Sequence, residues 1–167
     1  MIRSMIPFVL ALMGWNAPAQ PFAHHSLIID EVYPDPTPSL GLPSYEYIEV
    51  RNNTSAPMEL RYWKVSDGSS TATIATAFAL QPDSVVILCP AAAASAYSAL
   101  GACIGLAAFP SLNNESDELS LIAPEGNVIH AVAYELSWYG NSIAAMGGHS
   151  LEMIDTRYPC SGEKNWS

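Results

Sequence analysis

Short runs in which apolar and polar residues alternate, separated by turn-forming residues, make up this sequence from residue 27 onward. In the clearest run, 45–52, Ile48 and Val50 fall on one face and Glu49 and Arg51 on the other. A two-residue period is typical of a strand with one buried face. The other predicted strands are 27–33, 60–67, 71–78, 85–89, 118–123, 128–135 and 150–154. Many short strands at this spacing predict an all-β sandwich or barrel.

Proline and glycine mark the connections between these strands. Four prolines interrupt residues 34–44, which therefore form a loop outside any sheet interior. The segment 85–89 is apolar on both faces, which favours a central strand covered on each side. One short helix is predicted over 91–100, because Pro90 begins it, alanines fill it and Gly101 ends it. This helix would cross over between two strands.

A core can be predicted from the apolar positions of these strands. Trp63 and Val65 fall on the face opposite Lys64, so Trp63 is expected to point between the sheets. The predicted core residues are Ile48, Val50, Trp63, Val85, Ile87, Leu119, Leu121 and Trp166. A tryptophan at the centre of a small sandwich buries roughly 150–250 Å².

The first nineteen residues have the order of a secretory signal peptide rather than of a folded element. Arg3 supplies the positive region, 6–15 the apolar region, and Ala17 and Ala19 a small-residue cleavage site. An apolar run of this length is far short of the roughly twenty residues that span a bilayer. The sequence therefore predicts a signal peptide over 1–19, an arm over 20–26 and one domain over 27–167. It also predicts a secreted or cell-surface protein without a transmembrane segment in its mature form.

The charge of the chain argues against one class of partner. The whole chain has 16 acidic and 6 basic residues, and its net charge is −10. Removing the signal peptide with Arg3 leaves 5 basic residues against the same 16, a net charge of −11. Non-specific binding to nucleic acid depends on lysine and arginine neutralising phosphates. Nucleic acid is therefore not expected as a partner. The expected partners are proteins, cell-envelope polymers or a neighbouring domain of a longer parent chain.

No catalytic motif can be assembled from the sequence. The four histidines lack zinc-site spacing, and neither a nucleophile elbow nor a phosphate loop is present. We therefore expect no enzyme activity and no cofactor. A calcium site remains an alternative, because calcium binds six to eight oxygen ligands and neighbouring stretches of the chain supply carboxylates. The calcium candidates are Asp30, Glu31, Asp35, Glu46 and Glu49. Their alternative reading is a solvated acidic face.

The order and spacing of several short motifs resemble a lamin tail domain, in the form that secreted bacterial surface proteins carry. The motifs are Ile29–Val32, Glu46–Asn53, Leu60 with Trp63, Asp67 and Gly68, 110–114, Gly126–Ile129, Ser150–Glu152 and Asn165–Trp166. The resemblance implies an immunoglobulin-like antiparallel β-sandwich that binds or spaces rather than catalyses. Related chains often have cysteines at the positions of Cys89 and Cys160, so the resemblance implies a disulfide between them. Cys89–Cys103, across the helix, is the alternative pair.

The function expected from this resemblance is that of a secreted or cell-surface, non-catalytic module for binding, adhesion or structural spacing. Function on a rigid sandwich concentrates in its loops. The loops 34–44, 113–116 and 138–148 are therefore the expected contact regions. The alternative is an accessory domain of a secreted hydrolase or nuclease, because lamin tails are often fused to such enzymes.

Overall fold

A computed structural model describes residues 22–167, which form short strands, a short α-helix and several 3-10 turns. The first strands are β1 (Leu27–Tyr33), β2 (Tyr47–Asn52), β3 (Met58–Glu59), β4 (Lys64–Ser66), β5 (Thr71–Thr73), β6 (Ala79–Leu80) and β7 (Val85–Pro90). A 3-10 turn (Ala91–Ala93) and α1 (Ala94–Tyr97) follow. The later strands are β8 (Cys103–Leu106), β9 (Ser116–Ile122), β10 (Val128–Glu135) and β11 (Leu151–Glu152). Further 3-10 turns are Leu136–Tyr139, Ala144–Met146 and Gly162–Asn165. The predicted signal peptide lies outside the described residues.

Two sheets form the sandwich. The first sheet has the order β11-β1-β2-β7-β8 and the second has the order β10-β9-β4-β5, while β3 and β6 pair separately. Residues from both sheets line the main core between them, which includes Ile48, Trp63, Leu88, Leu119 and Leu121. The predicted all-β sandwich with a crossover helix is confirmed.

One strand pair departs from the expected antiparallel arrangement. β7 and β8 run parallel, with Ile87 opposite Cys103 and Cys89 opposite Gly105. Parallel neighbours need a crossover connection, which the 3-10 turn and α1 provide. The crossover packs so closely on β8 that a Cβ atom at Gly105 would lie 2.9 Å from the Cα atom of Ala91. Glycine at this position therefore lets the helical segment cover the sheet.

The covered outer face of the first sheet forms a second, smaller core. Its buried members are Tyr33, Tyr47, Ile87, Cys89, Ala93 and Tyr97. The Tyr97 hydroxyl donates a hydrogen bond to the Tyr45 carbonyl, which fastens α1 to the chain before β2. The central strand β7 is thus covered on both faces, with Val86 and Leu88 on its inner side.

The predicted core residues take three kinds of position. Ile48, Val50, Trp63, Leu119, Leu121 and Trp166 are buried in the main core. Ile87 belongs to the second core beneath α1. Val85 is only partly buried and belongs to neither core, so its prediction as a core residue is wrong. The reason is its register, since Val85 lies opposite Arg51 at the open end of the first sheet, before the helical cover begins.

Candidate functional site

The three loops expected to carry contacts meet at one end of the sandwich. Loop 34–44 leaves β1, and the carbonyl of Asp35 accepts a hydrogen bond of 2.8 Å from the amide of Gly148. Loop 113–116 is fixed by the Tyr134 hydroxyl, which donates to the Asn113 carbonyl at 2.6 Å. Its Glu115 carbonyl accepts from the Leu136 amide at 2.7 Å. We call the surface formed by loops 34–44, 113–116 and 138–148 the loop-end surface.

A cleft of about 200 Å³ opens where these loops meet. Its lining residues are Asp35, Asn114, Glu115, Leu136, Tyr139, Ala145 and Gly147. In the same loops, Ile143 is 70% exposed and Met146 is 73% exposed, and Leu40 also projects into solvent. Large apolar side chains grouped at one exposed place are typical of an interaction surface.

The electrostatic character of the loop-end surface is acidic. Asp35 and Glu115 line the cleft, and Glu135 lies beside Glu115 in an adjoining depression. None of the basic residues within 22–167 lines either of these hollows. Glu46 is near enough to Asp35 to feel its charge, and its carboxylate accepts a 3.1 Å hydrogen bond from the Leu112 amide. Burial raises the pKa of Glu46, and the charges of Asp117 and Asp35 raise it further, while the bond from Leu112 opposes this.

A family model, the Lamin Tail Domain, matches residues 20–135, which is more than half of the chain. The chain belongs to the lamin tail domain family. Lamin tail domains are immunoglobulin-like β-sandwiches without catalytic activity. The matched region contains two of the three loops of the loop-end surface, and the third, 138–148, follows it.

No curated protein matches the sequence. Within residues 22–167, no helix is long and apolar enough to cross a bilayer.

The five calcium candidates of this lamin tail domain do not converge on one position. Asp30 pairs with the Arg51 guanidinium at 2.6 Å, and Glu31 accepts a hydrogen bond from the Tyr47 hydroxyl. Asp35 accepts from the Thr37 amide at 3.0 Å. Among the described residues, no group of three or more His, Cys, Asp or Glu side chains is arranged to hold a metal ion. Four of the five are used separately, Asp30 in an ion pair and Glu31, Asp35 and Glu46 as hydrogen-bond acceptors.

Three carboxylates nevertheless form a row across the first sheet. Glu31 in β1 lies directly opposite Glu152 in β11 and Glu49 in β2. Like charges directly across a sheet repel one another. Burial raises the pKa of Glu49 to about 7, and the charges of Glu31, Asp30 and Glu152 act in the same direction against the opposing effect of Arg51. Glu152 was missed in the sequence because its position beside Glu31 depends on pairing between distant segments.

This row predicts a stability that depends on pH. The folded state binds the Glu49 proton more tightly than an unfolded chain, where the pKa keeps its ordinary value near 4.5. The resulting stabilisation is full below that value and is lost as the pH rises through about 7. Between about pH 5 and about pH 8 we expect the free energy of unfolding to fall by about 1–2 kcal/mol. The fall is no larger because solvent screens the partly exposed carboxyl of Glu49.

Urea unfolding at several pH values measures this change. Glu49→Gln should flatten the pH dependence, because glutamine carries no charge into the row. Glu118→Gln, at an exposed position on β9, serves as the matched control and should leave the dependence as it is. Equal slopes for the wild type and Glu49→Gln would contradict the assignment.

The cysteines are placed differently from the disulfide that the family resemblance implied. The Sγ atoms of Cys89 and Cys103 lie 3.3 Å apart on adjacent strands. Cys160 is exposed, and its Sγ lies 3.2 Å from the Nε2 atom of His25. The structure therefore corrects the predicted Cys89–Cys160 pair. The parallel pairing of β7 and β8 places Cys89 beside Cys103, and Cys160 lies beside His25 instead. The alternative pair, Cys89–Cys103, is the one that the geometry favours.

We predict that a glutathione redox mixture forms the Cys89–Cys103 disulfide in this chain. The bridge would close a loop of about fifteen residues, for which chain entropy gives about 3 kcal/mol of stabilisation. Non-reducing peptide mapping should find the pair, and the melting temperature should rise on oxidation. Cys103→Ser should abolish this rise, whereas Cys160→Ser should leave it unchanged. A Cys89–Cys160 peptide would refute the pairing.

The buried histidine of β10 has a structural role. His130 Nδ1 accepts a 3.0 Å hydrogen bond from the Ile29 amide, which ties β10 to β1. In neutral imidazole the remaining proton is then on Nε2, which lies near the Pro159 carbonyl without completing hydrogen-bond geometry. Burial lowers the pKa of His130 to about 4, so the ring is uncharged at neutral pH. Nδ1 therefore accepts the Ile29 bond and Nε2 carries the ring proton, so in this tautomer neither nitrogen has a free lone pair for a metal.

Proposed function

We propose that this lamin tail domain is a non-catalytic binding module that acts outside the cytoplasm and makes contact through its loop-end surface. The observation that carries the proposal is the meeting of loops 34–44, 113–116 and 138–148 around one cleft. A sandwich holds such loops rigidly, so a partner can be bound without ordering them first. The order of the first nineteen residues supports export.

The chemistry of the surface suggests the partner. Exposed Leu40, Ile143 and Met146 favour apolar contacts, while Asp35 and Glu115 favour positive charge. Complementary charge guides association and discriminates between partners. We therefore propose a protein partner, or a neighbouring domain of a longer parent chain, that presents basic and apolar side chains together. Adhesion or spacing at the cell surface would follow from this contact.

Binding can be tested with three fluorescent probes: a lysine–leucine peptide, a glutamate–leucine peptide of equal length, and duplex DNA. Fluorescence anisotropy should show salt-sensitive binding of the lysine–leucine peptide alone. The double variant Ile143→Ser with Met146→Ser should weaken that binding by about tenfold, since two apolar side chains are lost from the contact. Equal binding of both peptides, or tight binding of DNA at low salt, would overturn the proposed partner class.

A matched control comes from the opposite end of the sandwich. Val128 is 45% exposed at the start of β10, while Glu135 at its end lies beside the loop-end surface. Val128→Ser removes a similar apolar group and should leave the binding of the lysine–leucine peptide unchanged. If Val128→Ser weakened binding as much as the double variant, the contact would not be at the loop end.

Export is tested separately. Mass spectrometry of the protein from cell fractions should find a mature chain beginning at Gln20 outside the cytoplasm. Intact chains beginning at Met1 and confined to the cytosol would refute export, whatever the outcome of the binding experiment.

A further inference from the structure

Cys160 and His25 form a thiol–imidazole contact outside the cleft of the loop-end surface. The Sγ and Nε2 atoms lie 3.2 Å apart, and the thiol is exposed. An imidazole at this distance can accept the thiol proton and leave a thiolate, which is the nucleophilic form of cysteine. The residues come from opposite ends of the described chain, so only the folded protein brings them together.

The backbone and neighbours of His25 hold its ring in place. Its amide donates to the Ile129 carbonyl at 2.9 Å, and its carbonyl accepts from Asn53 Nδ2 at 3.2 Å. The ring packs edge-on against His130, with centroids 5.7 Å apart. Its φ of 59° is in the left-handed region, which a residue other than glycine adopts at a cost. The fold thus fixes His25 in an unfavourable conformation that directs its ring to Cys160.

An apolar cleft of about 280 Å³ adjoins the thiol. Trp138 and Trp166 line it together with Val132 and Cys160, and the two indole rings lie 6.0 Å apart. Aromatic rings that wall an open cleft beside a nucleophile can hold an apolar or aromatic group.

The other two cysteines differ from Cys160 in both exposure and partner. Cys89 is buried and faces Cys103, and burial raises the pKa of its thiol to about 12. Burial raises the pKa of the Cys103 thiol as well. These two thiols therefore resist ionisation, while Cys160 faces solvent beside an imidazole.

We propose that Cys160, with His25 as its base, is a site of thiol–disulfide exchange that favours disulfides with an apolar or aromatic group. The thiol proton passes to His25 Nε2, and the Cys160 sulfur attacks one sulfur of the incoming disulfide. The incoming S–S bond breaks as a new one forms to Cys160, and the departing thiolate takes up a proton. The incoming disulfide is the oxidant, so the exchange needs no further reagent.

Stopped-flow absorbance with dithiodipyridine, a neutral aromatic disulfide, tests the proposal because its leaving group absorbs light. Wild-type protein should show one fast thiol per chain, and peptide mapping should locate it at Cys160. His25→Gln should slow this reaction by about tenfold or more, since the base is lost. His24→Gln is the matched control and should react at the wild-type rate, while Cys160→Ser should remove the fast phase.

The aromatic preference has its own comparison. Trp138→Ala should slow the reaction with dithiodipyridine but leave that with hydroxyethyl disulfide, which has no aromatic group, unchanged. Far-ultraviolet circular dichroism and melting curves show whether each variant is folded. Wild-type rates in folded His25→Gln, or a fast phase that persists in Cys160→Ser, would overturn the pair, and equal slowing of both reagents by Trp138→Ala would overturn the preference.

Discussion

Replacing Trp63 with alanine is expected to lower the free energy of unfolding by about 3–5 kcal/mol, the usual cost of removing a large aromatic side chain from a core. Trp63 is fully buried between the sheets, and Phe22 packs on it edge-on with a centroid distance of 4.8 Å. The loss is a large part of the roughly 5–15 kcal/mol that stabilises a domain. Thermal unfolding should show a melting temperature lower by about 10 °C or more.

Two further variants separate the cavity from other effects. Tyr62→Ala changes the neighbouring aromatic residue, which is 55% exposed, and should alter the melting temperature little. Trp63→Phe should cost less than Trp63→Ala, because it keeps most of the packing and removes the buried Nε1 donor, which has no hydrogen-bond partner. An unchanged melting temperature for Trp63→Ala would show that the side chain does not fill the core.

Gly147→Ala is expected to separate loop 34–44 from loop 138–148 and to abolish binding at the loop-end surface. A Cβ atom at this glycine would overlap the Thr37 carbonyl oxygen and approach the Asp35 carboxylate. Its φ of +95° is also unfavourable for alanine, at a cost of about 1–2 kcal/mol. Because backbone atoms cannot yield as a flexible side chain can, the loops themselves must move apart.

Gly126 offers the control for this experiment. Its φ is +97°, almost that of Gly147, yet a Cβ atom there would meet nothing within 4 Å. Gly126→Ala therefore measures the conformational cost alone, without the collision. Hydrogen exchange should increase at the Gly148 amide in Gly147→Ala and not in Gly126→Ala. Equal effects of the two substitutions would show that the loops do not depend on this close approach.

Strands delimited by turn residues could be predicted to the residue, whereas the strictly alternating run 45–52 forms a strand only over Tyr47–Asn52. β1 and β10 have the predicted bounds, because apolar residues and turn residues delimit them clearly. The predicted strand 60–67 contains a turn at Tyr62, where φ is 71°, and only Lys64–Ser66 pair. β8 was not predicted, since four residues next to a helix carry too short a pattern. The helix is likewise shorter than the predicted 91–100. It ends at Tyr97, because the chain must then return as β8 to pair with β7.

The candidate site was predictable as loops but not as a surface. Proline and glycine identified 34–44 and 138–148 as loops, whereas their contact through Asp35 and Gly148 depends on long-range pairing. The same limit explains why the cysteine pair was predicted wrongly. Cys89 reaches Cys103 because β7 and β8 are parallel, a fact about topology that the composition of either strand does not contain. His25 and Cys160 lay even further apart in the sequence.

The pairing of β1 with β11 also has a consequence for the order of folding. β1 is made early in synthesis, yet its outer neighbour, Leu151–Glu152, comes from near the other end of the chain. Met153 in turn pairs with Trp166. A ribosome-bound chain that has emerged only as far as residue 135 would therefore leave one edge of β1 with unpaired amides and carbonyls, ready to join another strand. Closure of the first sheet therefore requires residues that follow the matched region 20–135.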